Sequence, residues 1–170
     1  MDELIRQQKN EEACRYIDKL LASRGLVYQG AVNSGNMLVD GLVNYKIPYI
    51  KSLHIDFRSE VVIPSNLEMP EDNLCIIIGN LLDNAIEAAA NVDGEKYIFI
   101  KISAYHKMTV VHIENSCGNV KWKKRMPVSD KGKGRGIGLL NVKQSIDKYD
   151  GNLQLKQDGN KFVADLFLNS

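Results

Sequence analysis

The sequence contains no run of about 18 or more apolar residues, the length that a membrane-spanning helix needs. Its first residues, MDELIRQQKNEE, are charged and do not resemble a secretory signal. These two absences predict a soluble, cytoplasmic chain.

The sequence also has few cysteines and a small net charge. The three cysteines are widely spaced and form no C-x-x-C pair, which indicates neither a disulfide framework nor a zinc site. The formal charge is only +1, from 22 basic and 21 acidic residues, which argues against an extended nucleic-acid surface. The stretch KWKKRMPVSDKGKGR, residues 121–135, is nevertheless locally basic and would suit phosphate groups.

The order of hydrophobic patterns predicts an α+β fold, a two-layer sandwich of one antiparallel-rich sheet with helices on a single face. No parallel unit is evident. Residues 116–133 lack periodicity and are expected to form a mobile, lid-like loop. The first two helices are expected to form a hairpin, packed either on its own domain or on a second chain. The predicted helices span residues 2–23, 29–51, 74–92 and 136–149, and the predicted strands span residues 53–62, 96–105, 107–115, 152–157 and 161–168.

The central predicted helix, LCIIIGNLLDNAIEAAANV, is apolar on most sides but carries one polar stripe. Asn80, Asp83, Asn84 and Glu87 occur at i, i+3, i+4 and i+7 and therefore share one helix face. Each half-buried polar group without a partner costs roughly 1–3 kcal/mol, so the stripe requires partners. A hydrated cation together with an amine-bearing ligand would supply them.

Glycines alternate through KGKGRGIGL, where the last helix begins: Gly132, Gly134, Gly136 and Gly138. Glycine lets the backbone approach a ligand, and a helix N-terminus favours an anion, so a phosphate chain could lie there. The motif alone is weak, and a flexible hinge without ligand is the alternative. A dinucleotide-binding fold would require a preceding strand in a βαβ unit, which this sequence does not indicate here.

The combination of NLLDNAIEAA with GRGIGL some 50 residues later resembles the ATP-binding domain of gyrase B, the heat-shock chaperone, histidine kinases and MutL, the GHKL superfamily. The resemblance extends over about residues 53–168 and is strongest to the quorum-type, peptide-sensing histidine kinases. It implies a Bergerat-type ATP-binding fold at residues 53–170, preceded by a partial dimerisation hairpin at residues 1–52. It also implies ATP and Mg²⁺ as cofactors.

The resemblance assigns roles to individual residues. Asn84 corresponds to the Mg²⁺ ligand that bridges the metal to the phosphates, with Asn80 beside it, and both are expected to be catalytic. For Asp83 and Glu87 the alternative to a role in the site is a position that faces solvent. The expected nucleotide-binding residues are Asn115, Lys131, Lys133, Gly134, Arg135, Gly136, Gly138 and Leu139.

Two of these positions predict how the site behaves. Relatives that hydrolyse ATP with water have a glutamate at the position of Asn80, and an amide cannot act as that general base. Slow ATP hydrolysis is therefore expected, with phosphoryl transfer to a protein acceptor instead. Asn115 stands where most of the superfamily has an aspartate that accepts from the adenine amino group. Because its bond is uncharged, modest ATP affinity is expected.

The resemblance also implies what the chain lacks. Similar kinases carry a phosphoacceptor histidine in the first hairpin helix, but residues 2–30 contain no histidine. His54, His106 and His112 fall in or beside predicted strands and are interpreted as structural. The expected acceptor is therefore a histidine segment elsewhere in a membrane-anchored parent kinase. A response regulator is expected as an indirect partner, and the hairpin as a possible homodimer contact.

Two other functions remain open. The same fold without catalysis would be a nucleotide-binding or dimerisation module, which would bind ATP without phosphorylating an acceptor. An anti-sigma-type serine kinase of the same superfamily is disfavoured, because such proteins lack a leading hairpin of this length.

Overall fold

A computed structural model describes residues 32–63, 65–128 and 137–169. These residues contain three helices and seven strands. The first predicted helix, residues 2–23, lies outside the described residues. The helices are α1 (Met37–Ser52), α2 (Glu71–Ala90) and α3 (Ile137–Asp147), and the strands are β1 (Asp56–Val61), β2 (Tyr97–Tyr105), β3 (Met108–Ser116), β4 (Lys121–Lys123), β5 (Met126–Val128), β6 (Asn152–Asp158) and β7 (Lys161–Asn169).

Five strands form the main sheet in the order β1-β2-β3-β7-β6. The pairs β2–β3, β3–β7 and β6–β7 are antiparallel, as the sequence predicted. However, β1 and β2 are parallel and are joined through α2, a pairing that the predicted antiparallel-rich sheet did not specify. A parallel pair needs a crossover connection, and the 20-residue helix α2 provides it.

The core lies between one face of the sheet and the helices, which confirms the predicted two-layer α+β sandwich. Strand β3 shows the alternation directly, because Thr109, Val111, Ile113 and Asn115 are buried while the residues between them are partly exposed. Helix α2 buries Ile78, Leu82 and Ala85 among others, and packs against α1, α3, β2 and β3.

Helix α1 begins eight residues later than predicted because its N-terminal cap is Asn36. The Asn36 side-chain oxygen accepts a hydrogen bond from the Val39 amide at 3.0 Å. Gly35 precedes the cap with a φ of 88°, a backbone conformation that glycine adopts without strain. Val43 and Ile47 of α1 belong to the same core cluster as α2, and the division between domains at residue 52 stays a prediction.

Part of the predicted mobile loop is a β-hairpin, so that expectation is wrong for residues 121–128. Strands β4 and β5 pair with Lys123 opposite Met126, which leaves a two-residue turn at Lys124 and Arg125. Both turn residues have positive φ, 49° and 64°, the signature of a type I′ turn. Asn-Gly is the usual pair at such a turn, so Lys124 and Arg125 carried no hairpin signal.

The described cysteines differ in state. Cys117 carries a free, buried thiol. Cys75, buried on α2, is disulfide-bonded, a bond that the spacing of the cysteines did not indicate.

No helix in the described ranges combines the length and the apolar character that crossing a membrane requires.

The turn after α3 supplies a stability prediction at Gly151. A Cβ at this position would lie 2.9 Å from the Ile146 Cβ and 3.2 Å from the Leu168 Cδ2, closer than packed carbon atoms allow. We expect Gly151→Ala to lower the free energy of unfolding by about 1–3 kcal/mol, the usual cost of overpacking. Urea unfolding followed by circular dichroism measures it.

Gly94→Ala is the matched control, because a Cβ at Gly94 meets no atom within 4 Å. Its effect on the free energy of unfolding should stay within about 0.5 kcal/mol. Equal stability of the two variants would contradict the tight packing described at Gly151.

Candidate functional site

Strand directions bring the key polar residues to one end of the sheet, here called the Asn115 end. Ile98 at the start of β2 pairs with Asn115 near the end of β3, and Asn115 pairs with Phe162 near the start of β7. Since α2 connects two parallel strands, it must run back over the sheet and finish at the start of β2. A hydrogen bond of 2.7 Å from Lys96 Nζ to the Ala90 carbonyl oxygen shows this. The C-terminal half of α2 is therefore at the Asn115 end.

Helix α3 runs in the opposite direction to α2. It leads into β6, whose first residue, Asn152, pairs with Phe167 at the far end of the sheet. At that far end, Asn73 in the first turn of α2 donates a hydrogen bond to the Tyr149 hydroxyl just after α3. The N-terminus of α3 consequently points toward the Asn115 end, where α2 finishes. The C-terminal half of α2, the end of β3 and the N-terminus of α3 therefore meet at the Asn115 end. The sequence predicted functional residues in all three of these elements.

Asn84 is the anomaly at this end of the molecule. Its side-chain nitrogen is buried and has no hydrogen-bond partner among the residues that the structure describes. Such a group costs about 1–3 kcal/mol, because desolvation is not compensated. Asn80 is half-buried one turn earlier on the same helix face. An oxyanion ligand would accept from the Asn84 amide.

The donor set suits Mg²⁺ held jointly by protein and ligand. No group of three histidine, cysteine, aspartate or glutamate side chains in the described part of the chain is arranged to hold a metal by itself. Amide oxygens are acceptable ligands for Mg²⁺, which keeps several waters and shares phosphate oxygens. The residues present therefore fit a phosphate-bound Mg²⁺ more closely than an all-protein metal cage.

Asp83 has a different role from its neighbours on the stripe. Its carboxylate accepts from Lys46 Nζ at 2.6 Å, and both side chains are mostly buried. This ion pair joins α1 to α2, so the possibility that Asp83 faces solvent is excluded. Glu87 is half-buried, and its backbone oxygen accepts from the Asn91 side chain.

Asn115 is 2% exposed, and its side chain points from β3 toward the helix layer. Its amide nitrogen donates to the Ser116 carbonyl oxygen at 2.9 Å, which fixes the orientation of the side chain. No donor among the described residues occupies its Oδ1. The oxygen is thus available to accept a hydrogen bond, and its expected role toward the adenine amino group stays a prediction.

The glycine segment is described only in part. Gly138 is buried and Leu139 half-buried in the first turn of α3, next to the convergence of the three elements. The remaining predicted phosphate-binding residues, Lys131, Lys133, Gly134, Arg135 and Gly136, lie outside the described residues.

The loop after β3 is fixed by hydrogen bonds to β6 and the β6–β7 turn, which the sequence did not predict. Gln157 donates to the Gly118 carbonyl oxygen at 3.0 Å and accepts from the Val120 amide at 3.2 Å. The Cys117 amide donates to the Asn160 carbonyl oxygen at 2.7 Å. Burial raises the pKa of the Cys117 thiol, an effect that a hydrogen bond from Gln157 partly offsets. The residues in these contacts are 37 to 43 positions apart, so local sequence patterns carry no signal for them.

A groove lies on the opposite face of the sheet. This groove, of about 480 Å³, is lined by side chains that include Arg58, Tyr97, Phe99 and Glu114. Burial and a hydrogen bond to Glu114 raise the pKa of Tyr97 to about 12. Because Asn115 faces the helices while Glu114 faces the other way, the groove is separate from the Asn115 end.

The three histidines occupy different environments. His112 on β3 lies 2.6 Å from the Asp165 carboxylate, as a structural histidine would. His54 is exposed, with a φ of 58°, directly after α1, and His106 is exposed in the β2–β3 turn with a φ of 54°. The structural interpretation is therefore confirmed for His112 and wrong for the exposed His54.

Comparison with known protein families identifies the fold. A family model described as the GHKL domain matches residues 69–169, more than half of the chain. The chain belongs to the GHKL family. The match includes α2, β3 and α3 and confirms the resemblance inferred from the sequence, whereas the finer likeness to quorum-type kinases stays a prediction.

Relatives of this GHKL chain include a sensor protein. It is 33% identical over 109 residues to the sensor protein CitS of Bacillus subtilis, an alignment that covers 61% of this chain and 20% of CitS. The chain thus spans about a fifth of the length of that relative.

Solved structures support the same fold. The catalytic domain of histidine kinase ThkA superimposes with a TM-score of 0.63 at 20% identity, over 81% of this chain and 92% of ThkA. The histidine kinase AdeS of Acinetobacter baumannii superimposes with a TM-score of 0.63 at 13% identity, over 99% of this chain and 77% of AdeS.

Proposed function

We propose that this chain is the ATP-binding catalytic domain of a two-component sensor histidine kinase. It binds Mg·ATP at the Asn115 end and transfers the γ-phosphoryl group to a histidine outside the chain. The buried side-chain nitrogen of Asn84, which has no partner in the described part of the chain, supports this most strongly, because a folded protein retains such a group at a cost in stability. The partial alignment with the sensor protein CitS agrees with the proposal.

Each residue has a defined part in the proposed reaction. Asn84 and Asn80 would hold Mg²⁺ through their side-chain oxygens, and the bound ion would offset charge on the transferred group. The Asn84 amide nitrogen donates to a phosphate oxygen. Asn115 accepts from the adenine amino group, and the start of α3 with Lys131, Lys133 and Arg135 faces the phosphates.

The acceptor is proposed to be a histidine segment of the parent kinase. We place that kinase at a membrane, in a signalling pathway that ends at a response regulator. Asn80 cannot act as a general base toward water, so the phosphoryl group is reserved for this acceptor rather than lost to hydrolysis. The hairpin predicted for residues 1–52 is proposed as a homodimer contact.

A labelling experiment tests the proposal. The chain is incubated with γ-labelled ATP, Mg²⁺ and a histidine-containing acceptor segment of the parent kinase added in trans. We expect acid-labile phosphate on the added segment and none on the chain. Replacing the acceptor histidine by glutamine should abolish the labelling.

The other outcomes are equally informative. Phosphate on the chain, for example on the exposed His54, would contradict an external acceptor. ATP binding without any transfer would favour the nucleotide-binding or dimerisation module. Absence of both binding and transfer would refute the proposed function.

A further inference from the structure

The β4–β5 hairpin carries Trp122, the only tryptophan of the chain, onto the sheet. Its indole stacks on the ring of Phe162, with ring centroids 5.9 Å apart and an angle of 17° between the planes. Trp122 nevertheless remains 39% exposed. One part of the indole is thus covered by Phe162, and another part is available to a ligand.

Phe162 locates this aromatic pair at the proposed nucleotide site. It pairs directly with Asn115 across β7 and β3, so their Cβ atoms are roughly 5 Å apart on the same face. That face is the one that meets the helices, because Ala164 and Leu166, which follow Phe162 at alternate positions, are buried in the core. The aromatic pair therefore flanks the residue proposed to accept from adenine.

The root of the hairpin is held in place. Gln157 bonds to Gly118 and Val120, and the Cys117 amide bonds to Asn160, directly before β4 begins. These bonds hold the residues that lead into β4 against β6 and the β6–β7 turn, and Trp122 lies two residues beyond them. Such preorganisation favours binding of a flat ligand, since little ordering remains to be done.

We propose that Trp122, supported by Phe162, forms a side wall of the adenine site and stacks on the base. This inference rests on the proposed function and assigns a base-positioning role to a residue outside the polar stripe and the glycine segment. Stacking of a base on an aromatic side chain is largely independent of base identity. Trp122 should thus add affinity for nucleotides, while Asn115 supplies selectivity for adenine.

The single tryptophan makes the test direct. Mg·ADP titrated into the unaltered chain should change the intrinsic tryptophan fluorescence, with the same dissociation constant that calorimetry gives. Trp122→Ala should weaken ADP binding roughly tenfold, whereas Trp122→Phe should stay within about threefold of the unaltered chain. Affinity for Mg·tripolyphosphate, which has no base, should be the same in all three proteins.

Tyr49→Ala is the control, because Tyr49 is an exposed aromatic side chain on α1. It should leave ADP affinity unchanged. If calorimetry shows ADP binding but the tryptophan fluorescence does not change, stacking of the base on Trp122 is contradicted. The same holds if Trp122→Ala binds ADP with unaltered affinity. Both results leave the proposed function intact. Equal loss of tripolyphosphate and ADP affinity would also contradict the stacking, because the residue would then be only structural. Absence of ADP binding by the unaltered chain would overturn both the stacking and the proposed function.

Discussion

Asn84→Ala is expected to reduce phosphoryl transfer to the acceptor by at least about a hundredfold, the usual cost of removing one preorganised polar contact from a transition state. The same variant should be as stable as the unaltered chain, or up to about 1 kcal/mol more stable, because a buried amide nitrogen without a partner is removed. Transfer is measured with γ-labelled ATP, and stability by urea unfolding. Loss of function without loss of stability identifies a residue kept for its ligand.

Asn91→Ala provides the matched control at the C-terminal end of the same helix. Asn91 is exposed and donates to the Glu87 carbonyl oxygen at 2.8 Å, so its amide is already satisfied. This variant should lose a little stability and retain transfer. A large fall in stability for Asn84→Ala, with nucleotide binding preserved, would show that the Asn84 amide is a structural element instead.

Asn115→Leu is expected to weaken ATP binding by roughly tenfold, because it removes the acceptor for the adenine amino group at nearly constant side-chain volume. GTP carries an oxygen where ATP carries that amino group, so GTP affinity should change much less. The preference for ATP over GTP should therefore nearly disappear. Competition calorimetry with both nucleotides measures the ratio.

Asn119→Ala is the control for the Asn115 variant. Asn119 is exposed in the loop after β3 and should have no effect on either nucleotide. If Asn115→Leu lowered ATP and GTP affinity equally, its role would be in packing the end of β3 rather than in reading the base.

The polar stripe was predictable because it depends only on local spacing. A helix places residues three and four apart on one face, so Asn80 and Asn84 could be assigned to a shared surface before any fold was known. The partner of Asp83 could not, because Lys46 lies 37 residues earlier on another helix. Local periodicity determines which side chains share a face, but not which distant group meets them.

The parallel arrangement of β1 and β2 was predictable and was nevertheless missed. The sequence indicated a strand, a helix and a strand in succession, which is the pattern of a parallel crossover unit. The β4–β5 hairpin gave no such signal. Its turn residues, Lys124 and Arg125, have positive φ without the usual asparagine and glycine, and its aromatic contact to Phe162 is distant in sequence.

Titration of the ¹⁵N-labelled chain with a non-hydrolysable Mg·ATP analogue, followed by nuclear magnetic resonance, shows which end of the sandwich binds the nucleotide. We expect the largest chemical-shift changes at the side-chain amides of Asn84 and Asn115 and at the Gly138 backbone, with little change at Tyr97 and Glu114 in the groove on the opposite face. Shifts concentrated in that groove, with the two asparagine amides unaffected, would contradict nucleotide binding at the Asn115 end.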